Sequence, residues 1–268
     1  MARAELNGIT IYYERWGSGP RLLYFNGSSS TLAGTRVRID PYGEQFDLAV
    51  HDQRGLGQTS VPPGPYSMAD YAADGAALMD HLGWGSCRVV GVSFGGMVAQ
   101  ELAVTWPERV ERLALVCTSP GGDHASYPLH KLAGLDPEER RAATLGLLDT
   151  RFTPDWLAAH EGDRRLVEGL ATFTAAVKTD EQQRGEREQL EARARHDVLD
   201  RLHRVTAPTL VASGRYDGIA PLENGEAIAA RIPGAELRVY DGGHLFLAQD
   251  PRAHFEVIDF LSRPQPRA

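Results

Sequence analysis

Short apolar runs alternate with stretches of helical periodicity along most of the chain. The runs are bounded by glycine, proline or small polar residues, which is typical of buried strands. They occupy residues 22–25, 46–50, 88–92, 113–117, 209–213 and 236–240. An earlier strand is predicted at residues 9–14, after the hairpin signal Asn7-Gly8. Strands that alternate this regularly with helices predict a mostly parallel sheet covered on both faces.

Several predicted helices have recognisable ends. Ser67-x-x-Asp70 is a capping box, and its helix stops at Gly83. A later helix ends before Pro107, and another starts at Pro221. The apolar residues predicted to share one face of the closing helix are Phe255, Ile258 and Leu261.

The pattern changes between about Gly121 and Val205, where strand signals vanish and the chain becomes charged and helical. The apolar residues that fit one helix face there are Leu166, Leu170, Phe173 and Val177. The Glu/Arg-rich run from Glu181 to Arg195 is interpreted as a solvated helix surface. We therefore predict a core domain of residues 1–120 and 206–268, with a helical cap inserted at 121–205.

The net charge of the chain and the length of its apolar runs indicate which classes of partner are disfavoured. The 268 residues carry a formal net charge of −8 with both signs mixed, which disfavours nucleic acid or an anionic membrane. The longest apolar runs are far short of a bilayer span, and the first residues lack the apolar core of a signal peptide. We therefore expect a cytoplasmic protein.

The two cysteines do not form a disulfide framework or a zinc motif. Cys87 opens one predicted strand and Cys117 ends the next. If these strands are parallel, the two residues lie near opposite ends, about 16 Å apart along the strand direction. A disulfide needs Cα atoms within about 7 Å, so two free thiols are predicted.

One stretch carries a candidate nucleophile. Gly91-x-Ser93-x-Gly95 lies between a β-branched run and a helix with small residues on one face, which is the context of a nucleophile elbow. Glycine two residues away on either side leaves room for a strained, sharp turn. The first N–H groups of the helix also favour negative charge above Ser93. The alternative is a glycine-rich turn whose serine has no role.

A serine nucleophile needs a base, and the base needs a group that orients it. Functional groups in open parallel sheets gather beyond the carboxyl ends of the strands. Asp217 and His244 each follow a predicted strand and should lie on the same rim as Ser93. Asp123, beyond the strand that ends at Cys117, is an alternative acid.

Other polar motifs have more ordinary interpretations. Asp52-x-Arg54-Gly55-x-Gly57 is predicted to stabilise its own turn, and His51 beside it could approach the rim. His81 lies late in a helix, where it favours the helix dipole. Histidines in the cap region, without a supported role, are His124, His130 and His160. Histidines interpreted as surface groups are His196, His203 and His254.

These motifs together resemble the α/β-hydrolase fold superfamily over nearly the whole chain. The matching pieces are Asn26-Gly27, Asp52-x-Arg54-Gly55-x-Gly57, Gly91-x-Ser93-x-Gly95-Gly96, Gly214-x-x-Asp217 and Gly243-His244. Many relatives carry His-Gly in place of Asn26-Gly27, and some enol-lactonases and related esterases look similar to this chain there. The resemblance implies an α/β fold with a mostly parallel eight-stranded sheet flanked by helices, and a helical cap after the sixth strand.

The resemblance also implies roles for individual residues. Ser93 would attack, His244 would act as general base and then general acid, and Asp217 would fix the imidazole. The backbone N–H groups of Ser28 and Phe94 would form an oxyanion hole. No metal and no cofactor is implied.

The leading hypothesis is a cofactor-free serine hydrolase acting on a small-molecule carboxylic ester or lactone through an acyl-enzyme. A C–C bond hydrolase, a thioesterase, an acyltransferase and a perhydrolase would use the same residues, and the fold does not decide among them. Relatives that open epoxides or displace halide carry Asp at the elbow, where this chain has Ser93. A ligand-binding member without turnover would carry a damaged triad, and the sequence has none. The substrate and the oligomeric state stay open.

Overall fold

The predicted apolar runs form one eight-stranded sheet in the computed structural model. The structure describes residues 2–173 and 178–264, except the side chains of residues 133 and 171–173. The strands are β1 (Ala2–Leu6), β2 (Ile9–Trp16), β3 (Arg21–Phe25), β4 (Asp47–His51), β5 (Cys87–Val92), β6 (Val110–Val116), β7 (Thr209–Gly214) and β8 (Glu236–Tyr240). Their spatial order is β1-β2-β4-β3-β5-β6-β7-β8. β2 pairs antiparallel with β1 and β4, and every other pairing is parallel. The predicted mostly parallel, eight-stranded sheet is confirmed.

Helices follow most of the strands. They are α1 (Leu32–Gly43), α2 (Met68–His81), α3 (Phe94–Thr105), α4 (Pro137–Leu148), α5 (Pro154–Ala159), α6 (Glu161–Phe173), α7 (Asp180–Ala194), α8 (Leu222–Arg231), α9 (Phe246–Gln249) and α10 (Ala253–Ser262). The capping box at Ser67 and Asp70 is present at the start of α2. None of the helices in the described ranges is long and apolar enough to cross a bilayer.

The alternation of side chains along each strand divides the core into two layers. In β3, Leu23 and Phe25 face the layer that α2, α3 and α8 cover. Leu22 and Tyr24 face the opposite layer, which α1 and α10 cover. All four of these residues are at most 5% exposed. Both faces of the sheet are therefore buried, as the continuous apolar runs of a parallel sheet require.

Strand β1 and helix α1 had no counterpart among the predictions. β1 pairs with β2 through a two-residue turn at Asn7 and Gly8, whose φ angles are 51° and 75°. The turn signal was correct, but Ala2–Leu6 lacks the β-branched residues that mark a strand. α1 was missed because Gly34 and Pro41 lie inside it and only four of its residues are buried.

Helix α10 shows where a simple spacing argument fails. Phe255 was predicted to share a face with Ile258 and Leu261, but it is 69% exposed whereas the other two are buried. A spacing of three residues drifts by about 60° per step on a helix of 3.6 residues per turn. The core-facing stripe instead contains Ala253 and Val257 together with Ile258 and Leu261.

The segment between β6 and β7 contains α4 to α7 and two short 3-10 helices, Leu129–Gly134 and Leu199–Arg204. Val177, placed on a cap face by its spacing, lies outside the described residues. The interpretation of α7 as a solvated surface was wrong for one face. Gly185, Gln189, Ala192 and Arg193 are buried. A Cβ on Gly185 would lie 2.0 Å from the Gly55 carbonyl oxygen, so the helix backbone touches the turn after β4.

The cysteine prediction is confirmed, because both thiols are free and buried. β5 and β6 pair in parallel, with Cys87 opposite Val110 and Val92 opposite Val116. Cys117 directly follows Val116, so the two cysteines lie at opposite ends of this pair of strands.

Two histidines are buried rather than placed at the rim or the surface. His196 was interpreted as a surface group, which is wrong, because it is 5% exposed. His51 is 2% exposed, with its ring edge-on to Phe25. Burial lowers the pKa of each from the ordinary value of 6.5 to about 4. Both rings are therefore neutral at physiological pH.

This burial predicts a loss of stability in mild acid. The unfolded chain protonates His196 below pH 6.5, whereas the folded chain does so only near pH 4, so stability is lost as the pH falls through that window. One such histidine lowers the free energy of unfolding by about 2 kcal/mol between pH 7.5 and pH 5. His196→Leu should remove about that much of the difference, measured from urea unfolding at the two pH values.

The matched control is His203→Leu, since His203 is exposed. An equal change in both variants would contradict the assignment of the effect to the buried ring.

Candidate active site

The turn at Ser93 is sharp and strained. β5 ends at Val92 and α3 begins at Phe94, so one residue reverses the chain, with φ 55° and ψ −116°. A positive φ is unfavourable for any residue with a Cβ. A Cβ on Gly91 would lie 2.2 Å from the Gly95 carbonyl oxygen, and one on Gly95 would lie 2.1 Å from that of Phe25. The two glycines are therefore required by contact with backbone.

Ser93, His244 and Asp217 form one line of hydrogen bonds. His244 Nε2 lies 2.9 Å from Ser93 Oγ, and His244 Nδ1 lies 2.7 Å from Asp217 Oδ2. An ionised carboxylate only accepts hydrogen bonds, so we assign the proton of neutral His244 to Nδ1. Nε2 is then free to accept a hydrogen bond from the Ser93 hydroxyl. The structure brings together the three residues that the sequence singled out for nucleophile, base and acid.

Asp217 is held from the other side by the chain that follows it. Its Oδ1 accepts hydrogen bonds from the N–H groups of Ile219 and Ala220, each at 2.8 Å. The side chain of Asp217 is fully buried, and that of His244 is 11% exposed. The carboxylate is therefore fixed and shielded, while the imidazole keeps access to the Ser93 side.

The loop that carries His244 is attached to the segment between β6 and β7. The His244 N–H donates to the Leu148 carbonyl oxygen at 2.6 Å. The N–H of the preceding residue, Gly243, donates to Gln249 Oε1 at 2.9 Å, and Gln249 Nε2 donates to Asp149 Oδ2 at 2.9 Å. The position of the imidazole thus depends on the end of α4 and on the first turn after it.

Asp149 is the buried anchor of this attachment. It accepts hydrogen bonds from Arg151 Nε at 2.9 Å and Nη2 at 2.7 Å, and its side chain is fully buried. Burial alone would raise the pKa of Asp149, but the hydrogen bonds from Arg151 and Gln249 lower it below its ordinary value. Arg151 also pairs with Asp241 at 3.0 Å, just before the His244 loop.

The two predicted oxyanion donors lie beside Ser93. Phe94 follows it directly, and a Cβ on Gly27, the neighbour of Ser28, would lie 3.6 Å from Ser93 Cβ. Within the described ranges, no hydrogen bond uses the backbone N–H of Ser28 or Phe94. Ser29 has a φ of 53°, and its N–H donates to Gln189 Oε1 at 2.7 Å. Helix α7 therefore holds the loop that presents Ser28.

The remaining candidates have structural positions. Asp123 is exposed, whereas Asp217 contacts His244. Asp52 accepts hydrogen bonds from the N–H groups of Leu32 and Gln58, as expected of a turn-stabilising residue. Arg54 is paired with buried Asp74 through two hydrogen bonds of 2.7 and 2.8 Å.

A family model described as the alpha/beta hydrolase fold matches residues 30–251. The chain belongs to the α/β-hydrolase fold family. A poly(3-hydroxyalkanoate) depolymerase of Ectopseudomonas oleovorans is 31% identical over 248 residues, which cover 92% of this α/β hydrolase and 86% of the relative. The 3-oxoadipate enol-lactonase 2 of Acinetobacter baylyi is 27% identical over 262 residues, covering 95% and 94%.

Solved structures have the same fold as this α/β hydrolase. The crystal structure of a hydrolase from Pseudomonas aeruginosa PA01 superposes with a TM-score of 0.80 at 30% identity, covering 98% of each chain. The enol-lactonase from Burkholderia xenovorans LB400 has a TM-score of 0.78 at 24% identity, covering 98% of this chain and all of the other.

Four polar residues around the site of this α/β hydrolase were not anticipated: Asp149, Gln189, Arg193 and Gln249. Asp149 and Gln249 are separated by 100 residues, and no local pattern connects them. Gln189 and Arg193 are four residues apart on a helix, which places them on one face. That spacing was visible, but in a helix so rich in charged residues it gives no sign of burial.

Proposed function

We propose that this α/β hydrolase cleaves small carboxylic esters or lactones with Ser93 as nucleophile and without a cofactor. The observation that carries the proposal is the hydrogen-bonded line from Ser93 Oγ through His244 to Asp217, with Ser93 at a strained strand-to-helix turn. The relatives named as an enol-lactonase and a poly(3-hydroxyalkanoate) depolymerase support this substrate class.

In the first half of the proposed reaction, His244 Nε2 takes the hydroxyl proton as Ser93 Oγ attacks the ester carbonyl carbon. The C=O electron pair moves onto oxygen, which lies near the N–H groups of Ser28 and Phe94. When the tetrahedral intermediate collapses, the C–O bond to the alcohol breaks and His244 Nε2 gives its proton to the leaving oxygen. The product is an acyl ester on Ser93.

In the second half, water attacks the acyl-enzyme while His244 Nε2 takes one of its protons. Collapse of the second intermediate breaks the bond to Ser93 Oγ, which receives that proton back. The carboxylic acid leaves and the enzyme returns to its starting state. Asp217 stays ionised and stabilises the imidazolium that forms in each half.

The cap is proposed to set the size of the substrate. It is the insertion of residues 121–205 between two strands whose carboxyl ends reach the Ser93 rim. On α6, Leu166 and Leu170 are partly buried, while the Phe173 side chain lies outside the described residues. An enclosed site would also exclude water and strengthen the interactions of the oxyanion.

The nucleophile is tested by covalent labelling. A fluorophosphonate probe should label Ser93, and Ser93→Ala should abolish labelling and lower turnover on the order of a millionfold, because the variant lacks the attacking oxygen. Labelling is read by peptide mass spectrometry. A label on another residue, together with a fully active Ser93→Ala variant, would contradict the assignment.

The acid is tested by Asp217→Asn. The neutral amide can donate a hydrogen bond to Nδ1 and favour the wrong imidazole tautomer, so turnover should fall by roughly ten-thousandfold while the fold is kept. Turnover is measured on an aryl ester and the fold by circular dichroism. The matched control is Asp123→Asn, on the exposed alternative acid; a large loss there instead would show that the acid is wrong.

The cap proposal predicts a preference for short acyl groups. We expect a higher kcat/KM on 4-nitrophenyl acetate or butyrate, or on a small lactone, than on the palmitate, because an enclosed site rejects long chains. The rate should also rise smoothly through the solubility limit of the ester. A preference for palmitate, or a sharp rise in rate above that limit, would mean that the site is open.

A further inference from the structure

One face of helix α7 carries polar side chains that are buried but incompletely hydrogen-bonded. Gln189 is fully buried and Arg193, one turn later, is 6% exposed. Gln189 Oε1 accepts a hydrogen bond from the Ser29 N–H. Arg193 Nη1 donates a hydrogen bond to the Tyr127 carbonyl oxygen at 2.7 Å. Gln189 Nε2, Arg193 Nε and Arg193 Nη2 have no partner in the described part of the chain. Buried donors without acceptors cost free energy, so an acceptor supplied by a bound ligand would stabilise them.

This face lies between the two loops that flank Ser93. At one end, Gln189 holds Ser29, next to the proposed oxyanion donor Ser28. At the other end, Arg193 binds the Tyr127 carbonyl oxygen. The Tyr127 N–H donates to the Ile219 carbonyl oxygen at 2.8 Å. Ile219 in turn donates to the Asp217 carboxylate. Hydrogen bonds therefore join the helix face that carries the unpartnered donors to the loops on both sides of Ser93.

Arg193 has no paired anion among the residues that the structure describes. Burial lowers the pKa of Arg193 to about 10, and the negative charge of Asp217 opposes that effect. The Asp217 oxygens are already engaged by His244, Ile219 and Ala220, and no ion pair to Arg193 forms among the described residues. Residues 174–177 of the cap, which are not described, contain no Asp or Glu. The guanidinium is thus a buried cation at neutral pH.

We infer that Gln189 and Arg193 bind a carboxylate group of the substrate, so that the enzyme acts on esters or lactones of acids that carry a second carboxylate. This rests on the proposed function, because the carboxylate must be joined to the carbonyl that Ser93 attacks. Nε and Nη2 share one edge of the guanidinium, which matches the two oxygens of a carboxylate. Gln189 Nε2 would supply a further donor.

The experiment compares two esters that differ in one end group. The ratio of kcat/KM for mono-4-nitrophenyl glutarate to that for 4-nitrophenyl pentanoate is measured at pH 8, with spontaneous hydrolysis subtracted. The wild-type ratio should exceed one, and Arg193→Met should lower it by about thirtyfold, as expected for the loss of a charged, bidentate contact. A wild-type ratio below one, or the same ratio in the variant, would overturn the inference.

The matched control is Arg187→Met, on the exposed side of the same helix. It removes the same charge from the chain, so it reports any long-range effect of charge on the ratio. We expect a ratio within about twofold of wild type, since exposed charges are screened within about 8 Å at physiological salt. An equal fall in both variants would show that net charge, and not a carboxylate site, sets the preference.

Binding without turnover separates the inference from the proposed reaction. Glutarate is titrated calorimetrically into Ser93→Ala and into Ser93→Ala combined with Arg193→Met. Binding that requires Arg193 supports the carboxylate site even if no ester is cleaved, which would contradict only the proposed hydrolysis. Turnover of esters without glutarate binding would contradict only the carboxylate site.

A stability measurement tests a purely structural role for Arg193. Replacing an unpaired buried charge with an apolar side chain of similar length is often neutral or stabilising. Arg193→Met should therefore unfold at or above the wild-type temperature. A lower unfolding temperature together with an unchanged ratio would assign Arg193 to the framework and overturn the inference.

Discussion

The turn at Ser93 requires two close approaches of backbone to backbone. At Gly91 and at Gly95 there is no space for a Cβ, because the carbonyl oxygens of Gly95 and Phe25 occupy it. β3, β5 and α3 therefore pack without intervening side chains at this point of the sheet. A positive φ at a residue other than glycine costs on the order of 1–3 kcal/mol. The buried strands on either side offset that cost and keep the Ser93 hydroxyl at the rim.

The helical segment between β6 and β7 contributes to the geometry of the site. Its chain around Leu148 makes three backbone hydrogen bonds with the Asp217 and His244 loops: Gly218 N to Leu147 O, His244 N to Leu148 O, and Thr150 N to Tyr216 O. Asp149 and Gln249 reinforce the same junction. A displacement of this part of the segment would move Asp217 and His244 together, so it belongs to the framework of the site.

Local features of the sequence were sufficient to predict the sheet, the sharp turn at Ser93 and the three side chains that are hydrogen-bonded there. Apolar runs and the glycine spacing around Ser93 act over a few residues, and the carboxyl-end rule for parallel strands relates distant loops without a detailed model. The burial of His196 and the polar stripe on α7 could not be predicted in this way. Both depend on which surface a charged helix packs against, and that is decided by contacts with the turn at Gly55 and the loop at Ser29.

The net charge of −8 means that the chain as a whole does not attract anions. Surface charges act weakly beyond about 8 Å at physiological salt, whereas a guanidinium shielded from water acts strongly over a few ångströms. Arg193 and Gln189 would therefore recognise a carboxylate only after the ligand has entered the site. Their effect would be on the dissociation rate of the ligand more than on its association rate. The same burial that makes an unpaired Arg193 unfavourable for folding would make its interaction with a ligand carboxylate strong. Such a residue is expected where binding, and not stability, determines which side chain is kept.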